Sequence, residues 1–167
     1  MTARSVIHDM FTIERSYPAA PSRVFAAFAS AEAKNTWGDT GDLEPADGQA
    51  GVTEFGFRAG GRERFGFKMA GTTYRYDARY YDIVPDQRII YAYEIYAGDA
   101  RISASVATIE FAKDGDGTAL TWTEQGTYLD GIDGPRAPSL RKEGVTEMLD
   151  GLTGYLASQT AQSGANP

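Results

Sequence analysis

Residues 101–125, RISASVATIEFAKDGDGTALTWTEQ, decide the fold. Ser103, Ser105, Ala107, Ile109 and Phe111 alternate with Ala104, Val106, Thr108 and Glu110, and side chains two apart on a strand point to the same face. Asp114-Gly115-Asp116-Gly117 is a turn signal. Alternation then resumes, with Leu120, Trp122 and Glu124 opposite Thr121, Thr123 and Gln125. Two period-two segments joined by a tight turn form a hairpin, and one apolar face each places them in an antiparallel sheet with one side buried.

Upstream, the same pattern repeats. Residues 88–96 set Tyr91, Tyr93 and Ile95 against Ala92 and Glu94; residues 73–84 set Tyr74, Tyr76, Ala78 and Tyr80 against Arg75, Asp77 and Arg79. Residues 62–69 put Phe65, Phe67 and Met69 opposite Arg64 and Lys68, and residues 52–58 carry Phe55 and Phe57 on one face. Turns are expected at Gly60-Gly61, Pro85-Asp86 and Gly98-Asp99. A first strand covers residues 6–17, with Phe11 and Ile13 alternating with Thr12 and Glu14. Pro18 and Pro21 end it, and Pro21 suits the first position of a helix carrying Val24, Phe25 and Phe28. A second short helix spans Ala31 to Thr36 and ends near Trp37-Gly38, and residues 38–51 read as loop.

Downstream, residues 140–157 carry Val145, Leu149, Leu152 and Leu156 at helical spacing, widened by Met148 and Tyr155. One amphipathic helix facing a sheet with an apolar face predicts an α+β fold, a curved antiparallel sheet of six to seven strands wrapped around a long C-terminal helix, with two short helices after the first strand. Residues 1–160 are expected to form one domain, and residues 161–167 a disordered tail.

Composition excludes several functions. A net charge of −7 opposes binding to nucleic acid or an anionic membrane. No apolar run approaches the roughly 20 residues of a membrane span, and the cytoplasm is the expected location. With no Cys, and His8 as the sole histidine, disulfides, thiolate chemistry and transition-metal sites are not expected. Asp114 and Asp116 lack the remaining ligands of a calcium loop; Asp39, Asp42, Glu44 and Asp47 read as a solvated acidic loop. No G-x-S-x-G or phosphate-cradling motif occurs. Neither a metal, a cofactor nor a catalytic set is expected.

What remains is the aromatic face. Trp37, Phe55, Phe57, Phe65, Phe67, Tyr76, Tyr91, Tyr93 and Trp122, with Met148, Leu152 and Tyr155 of the helix, are the expected lining of an apolar pocket of roughly 300–1,000 Å³. Small Ser103, Ser105 and Ala107, and Gly144 and Gly151 on the helix, are expected to leave its space. Period two also turns Glu124 inward, where a carboxylate needs a partner. It is either a polar anchor for a ligand, an acid–base group with Arg141 or a tyrosine, or half of an ion pair with Arg141 or Arg62.

Several segments together resemble a known family: Arg15 to Phe28, RSYPAAPSRVFAAF; Trp37-Gly38; Arg58-Ala59-Gly60-Gly61; Asp82 to Ile90, DIVPDQRII; Thr123-Glu124-Gln125-Gly126 with Leu129-Asp130-Gly131; and Arg141 to Gly144 with Leu149 to Leu156. In this order they resemble the START-like helix-grip superfamily, also called SRPBCC, and within it the bacterial single-domain proteins named after the activator of the heat-shock protein 90 ATPase. The resemblance implies the fold. It implies function less closely, because the superfamily includes lipid carriers, hormone receptors, cyclases, hydrolases and chaperone activators. The first expectation is binding of a small, largely apolar molecule, lipid-like or aromatic and polyketide-like. The alternatives are an enzyme on the same scaffold (cyclase, dehydratase or hydrolase of an apolar substrate) and a chaperone-binding domain. A homodimer is left open.

Overall fold

The computed structural model describes residues 3–38, 44–45 and 52–164. Strand β1 (Val6–Tyr17) leads into helices α1 (Pro21–Phe28) and α2 (Ala31–Trp37). Short β2 (Glu44–Pro45) and β3 (Val52–Phe55) precede β4 (Arg62–Met69), β5 (Thr72–Val84), β6 (Arg88–Ala97), β7 (Ala100–Asp114) and β8 (Gly117–Leu129), and α3 (Ala137–Ser163) closes the order. Every pairing is antiparallel. The strands run β1-β8-β7-β6-β5-β4-β2 across the curved sheet, and β3 also pairs with β4. Among the described residues eight strands thus fill seven positions, and the expected α+β helix-grip architecture is present.

The elements follow from local chemistry. Pro21 opens α1, where its missing N–H costs nothing. The Ser30 side chain caps α2 by accepting from the Ala33 N–H at 3.2 Å. Asp114 to Gly117 makes the β7–β8 hairpin, and its register aligns Ala107 with Glu124 and Ile109 with Trp122.

Some boundaries differ from expectation. The strand expected over 52–58 stops at Phe55. Residues 56–61 fold into a tight loop in which the Gly56 N–H donates to the Arg62 carbonyl at 2.7 Å and the Gly61 N–H to the Arg58 carbonyl at 2.8 Å. A Cβ on Gly61 would lie 1.8 Å from the Gly56 oxygen, so only glycine fits there. Phe57 therefore sits on this loop rather than on a strand. The segment read as loop, 38–51, holds β2, which pairs with β4; its Asp39, Asp42 and Asp47 lie outside the described residues. Helix α3 starts three residues before Leu140 and continues through Ser163, so residues 161–163 form its last turn instead of tail. Residues 165–167 lie outside the described set.

Val145, Leu149, Leu152 and Leu156 are all buried, as their spacing requires. The helix lies against α2, β1 and β8, toward one side of the sheet. Two contacts fix it there. The Tyr17 hydroxyl donates to the Leu149 carbonyl at 3.1 Å. At Gly151 a Cβ would lie 2.3 Å from the Trp37 carbonyl oxygen. Gly151 thus permits close approach of α3 to α2, and does not leave space between helix and sheet as expected; Gly144 has nothing within 4 Å of its Cβ position. Among the described residues no helix is long and apolar enough to cross a membrane.

Candidate functional site

The inner face of β4–β8 carries two buried carboxylates, each held by a tyrosine and a cation. Glu124 on β8 is fully buried. It accepts from the Tyr93 hydroxyl at 2.5 Å, from Trp122 Nε1 at 3.3 Å and from the Arg141 guanidinium at 3.2 Å. Arg141 enters from α3 and also donates to the Tyr93 oxygen at 2.7 Å, Ser105 Oγ at 3.1 Å and Ser103 Oγ at 2.7 Å. Its guanidinium lies 5.2 Å from the Tyr93 ring centre and 5.4 Å from that of Tyr128. Burial opposes the charge on Arg141, but the oxygens of Tyr93 and the Glu124 carboxylate that accept from it outweigh burial and its pKa is raised. Ser103 and Ser105, expected to leave a void, instead make room for this guanidinium.

Of the two partners weighed for Glu124, Arg141 is present. Arg62 faces Asp77, 3.9 Å away. Glu124 lies within the core.

The second carboxylate escaped the sequence reading. Glu63 on β4 is 2% exposed and accepts from Lys34 Nζ of α2 at 2.6 Å and from the Tyr80 hydroxyl. Lys34 also lies 5.8 Å above the Phe55 ring. The signal for Glu63 was available: it shares its parity with inward Phe65 and Phe67. Nothing local marks Lys34.

Four tyrosines of β5 and β6 stand between these two ion pairs. Tyr76 stacks on Phe65 at 4.5 Å and leans on Tyr93 at 5.0 Å. Tyr91 meets Tyr80 and Tyr93, each at 5.8 Å, and Trp122 edge-on at 6.2 Å. Burial pushes the hydroxyl pKa of all four upward, so they act as neutral donors. Tyr80 and Tyr93 spend that donor on Glu63 and Glu124. Tyr76 and Tyr91 make no side-chain hydrogen bond among the described residues, although they are only 9% and 7% exposed. Every fully occluded side-chain N or O of the described residues has a partner, so these two oxygens border open space.

The expected lining residues separate into two groups. Trp37, Tyr76, Tyr91, Tyr93, Trp122, Glu124 and Leu152 are buried. Trp37 is fixed in the core, donating from Nε1 to the Ala27 carbonyl at 2.8 Å and packing on Phe28. Phe55, Phe57, Phe65, Phe67, Met148 and Tyr155 are half-buried, and all but Phe67 pack against the core cluster together with Ile95. A groove of about 920 Å³ crosses the outer face of the sheet, between outward Asp77, Arg79, Glu94, Val106 and Gln125, and is also lined by Ala78, Tyr93 and Ser105. It shares no wall with α3. Among the described residues no group of three or more His, Cys, Asp or Glu side chains is arranged to hold a metal ion.

Comparison with known proteins places this geometry in context. The family model described as Activator of Hsp90 ATPase homolog 1-like protein matches residues 18–157. Among solved structures, the Mll3558 protein from Rhizobium loti is 44% identical, the match covering 90% of this chain and 99% of that one, with a TM-score of 0.79. A protein from Rhizobium leguminosarum is 39% identical over 94% of this chain and 99% of that one, with a TM-score of 0.80. Protein CV1439 from Chromobacterium violaceum is 26% identical over 87% of this chain and 94% of that one, with a TM-score of 0.67. A search of curated proteins gives no match.

Proposed function

Because this chain belongs to the Activator of Hsp90 ATPase homolog 1-like family, whose helix-grip fold is a ligand-binding scaffold, we propose that it binds a small, largely apolar molecule on the inner face of β4–β6, beside α3. The observation that carries this reading is the half-buried aromatic wall. Phe65, Phe67 and Ile95 point inward yet keep part of their surface open, and Met148 and Tyr155 of α3 do the same. An inward face that had only to fill a core would close over such rings, since each half-exposed aromatic forgoes part of its burial energy. Apolar walls with a few convergent polar groups are what ligand pockets present.

The two ion pairs set the polar floor of this site. With its carboxylate already accepting from Tyr93, Trp122 and Arg141, Glu124 is a positioning residue. It fixes the Tyr93 ring and the head of Arg141, on which Tyr76 and the N-terminal part of α3 rest. No charge is left over for substrate, which favours binding over acid–base catalysis by Glu124.

Ligand binding to the folded state alone raises stability by about 2.7 kcal/mol at a hundredfold excess over Kd. Thermal melting against a panel of neutral aromatic and aliphatic compounds is expected to give rises for aromatic members. The Phe65→Ala and Met148→Ala variants are expected to lose those rises while still folding. No rise for any compound, or rises unaffected by both variants, would contradict the reading.

A further inference from the structure

Resting on the inner-face reading, we propose that the ligand is an uncharged planar molecule bearing a carbonyl-type acceptor, and that Tyr91, with Tyr76 beside it, is the donor that selects it. Each buried ion on this face has its counter-ion in contact: Glu63 with Lys34 at 2.6 Å and Glu124 with Arg141 at 3.2 Å. An anionic or cationic ligand would enter with its charge unpaired, and burying an unpaired charge is costly. A neutral ligand carries no such cost.

Four phenol donors converge between the ion pairs, and two of them are already used. The hydroxyls of Tyr76 and Tyr91 remain, each on a ring more than nine-tenths buried, each packed on Tyr93. Both oxygens border open space, where an acceptor on the ligand can take the hydrogen bond that water would otherwise supply. Ala78 and Ala107, buried on the same face, put methyl groups where β5 and β7 flank Tyr93 and Tyr91, with Ala78 opposite Tyr93 and Ala107 opposite Tyr91 in register. Flat rings bound these positions, and a flat ligand stacks on them.

Fluorene and fluorenone form a matched pair, the same planar skeleton without and with a carbonyl; fluorene-9-carboxylate adds a charge. Calorimetric titration of the wild-type chain is expected to show fluorenone bound roughly three- to tenfold more tightly than fluorene, the fold-change of one neutral hydrogen bond, and the carboxylate most weakly. In Tyr91→Phe the ketone preference is expected to fall toward unity while fluorene affinity stays the same. Tyr76→Phe is expected to reduce it in part. Tyr81→Phe, on the exposed outer face, should leave it intact. Loss of the Tyr91 hydroxyl removes no hydrogen bond among the described residues, so the variant is expected to fold. Equal affinity for ketone and hydrocarbon in the wild type, or a preference that survives both Tyr91→Phe and Tyr76→Phe, overturns the inference and leaves the inner-face site standing. Binding of neither neutral compound overturns both.

Discussion

Among the residues of the site, Glu124 and Glu63 carry the clearest physical consequences. Each is a carboxylate removed from water, and each is kept by a cation and a phenol. Truncating one partner of a buried pair leaves the other uncompensated, at a cost of about 3–5 kcal/mol. Arg141→Met and Glu124→Leu are therefore each expected to lower stability by about that amount in denaturant titration. The double variant is expected to fall closer to wild type than either single one, because it leaves no orphan charge; strict additivity of the two losses would refute the coupling. Glu124 is legible in the sequence because period two on β8 leaves it no other direction. Glu63 obeyed the same rule beside Phe65 and Phe67. Charged Arg62, Glu63 and Arg64 in succession mask that alternation. Lys34 reaches Glu63 across 29 positions of sequence, a distance no local pattern encodes.

At the level of elements, the strands were legible because each alternates, whereas helix ends and the glycines of α3 were not. The apolar stripe of α3 fixes which face is buried. The ends of the helix depend on turn chemistry at Gly134 to Pro138 and on a polar last turn without periodicity. β2 is a two-residue pairing, too short to show any period. The glycines on α3 have opposite meanings that only packing reveals. Gly151→Ala would drive a methyl group into the Trp37 carbonyl and must push α3 off α2; melting is expected to show a loss of about 1–3 kcal/mol. Gly144→Ala meets nothing within 4 Å and is expected to gain up to about 1 kcal/mol from helix propensity. A loss of stability in Gly144→Ala, or none in Gly151→Ala, would show that the helix is seated differently.

For the whole molecule, the seating of α3 toward one side of the sheet shapes the proposed site. The helix is bolted to α2, β1 and β8 by Tyr17, Gly151 and its leucine stripe, and Arg141 extends across to Tyr93 on β6. On the inner surface of β4–β6, Tyr76, Tyr80, Tyr91 and Tyr93 are buried, whereas Phe65 and Phe67 stay half-buried. The sheet's outer face offers a groove of about 920 Å³ as a competing location, so the decisive question is which face a ligand touches. The two faces carry distinguishable methyl groups: Ile95 and Met148 inward, Met10 and Val106 outward. Intermolecular nuclear Overhauser effects between bound fluorenone and methyl-labelled protein answer it directly. An inner-face site gives contacts to Ile95 and Met148, and none to Met10 or Val106; contacts confined to Met10 and Val106 would contradict it.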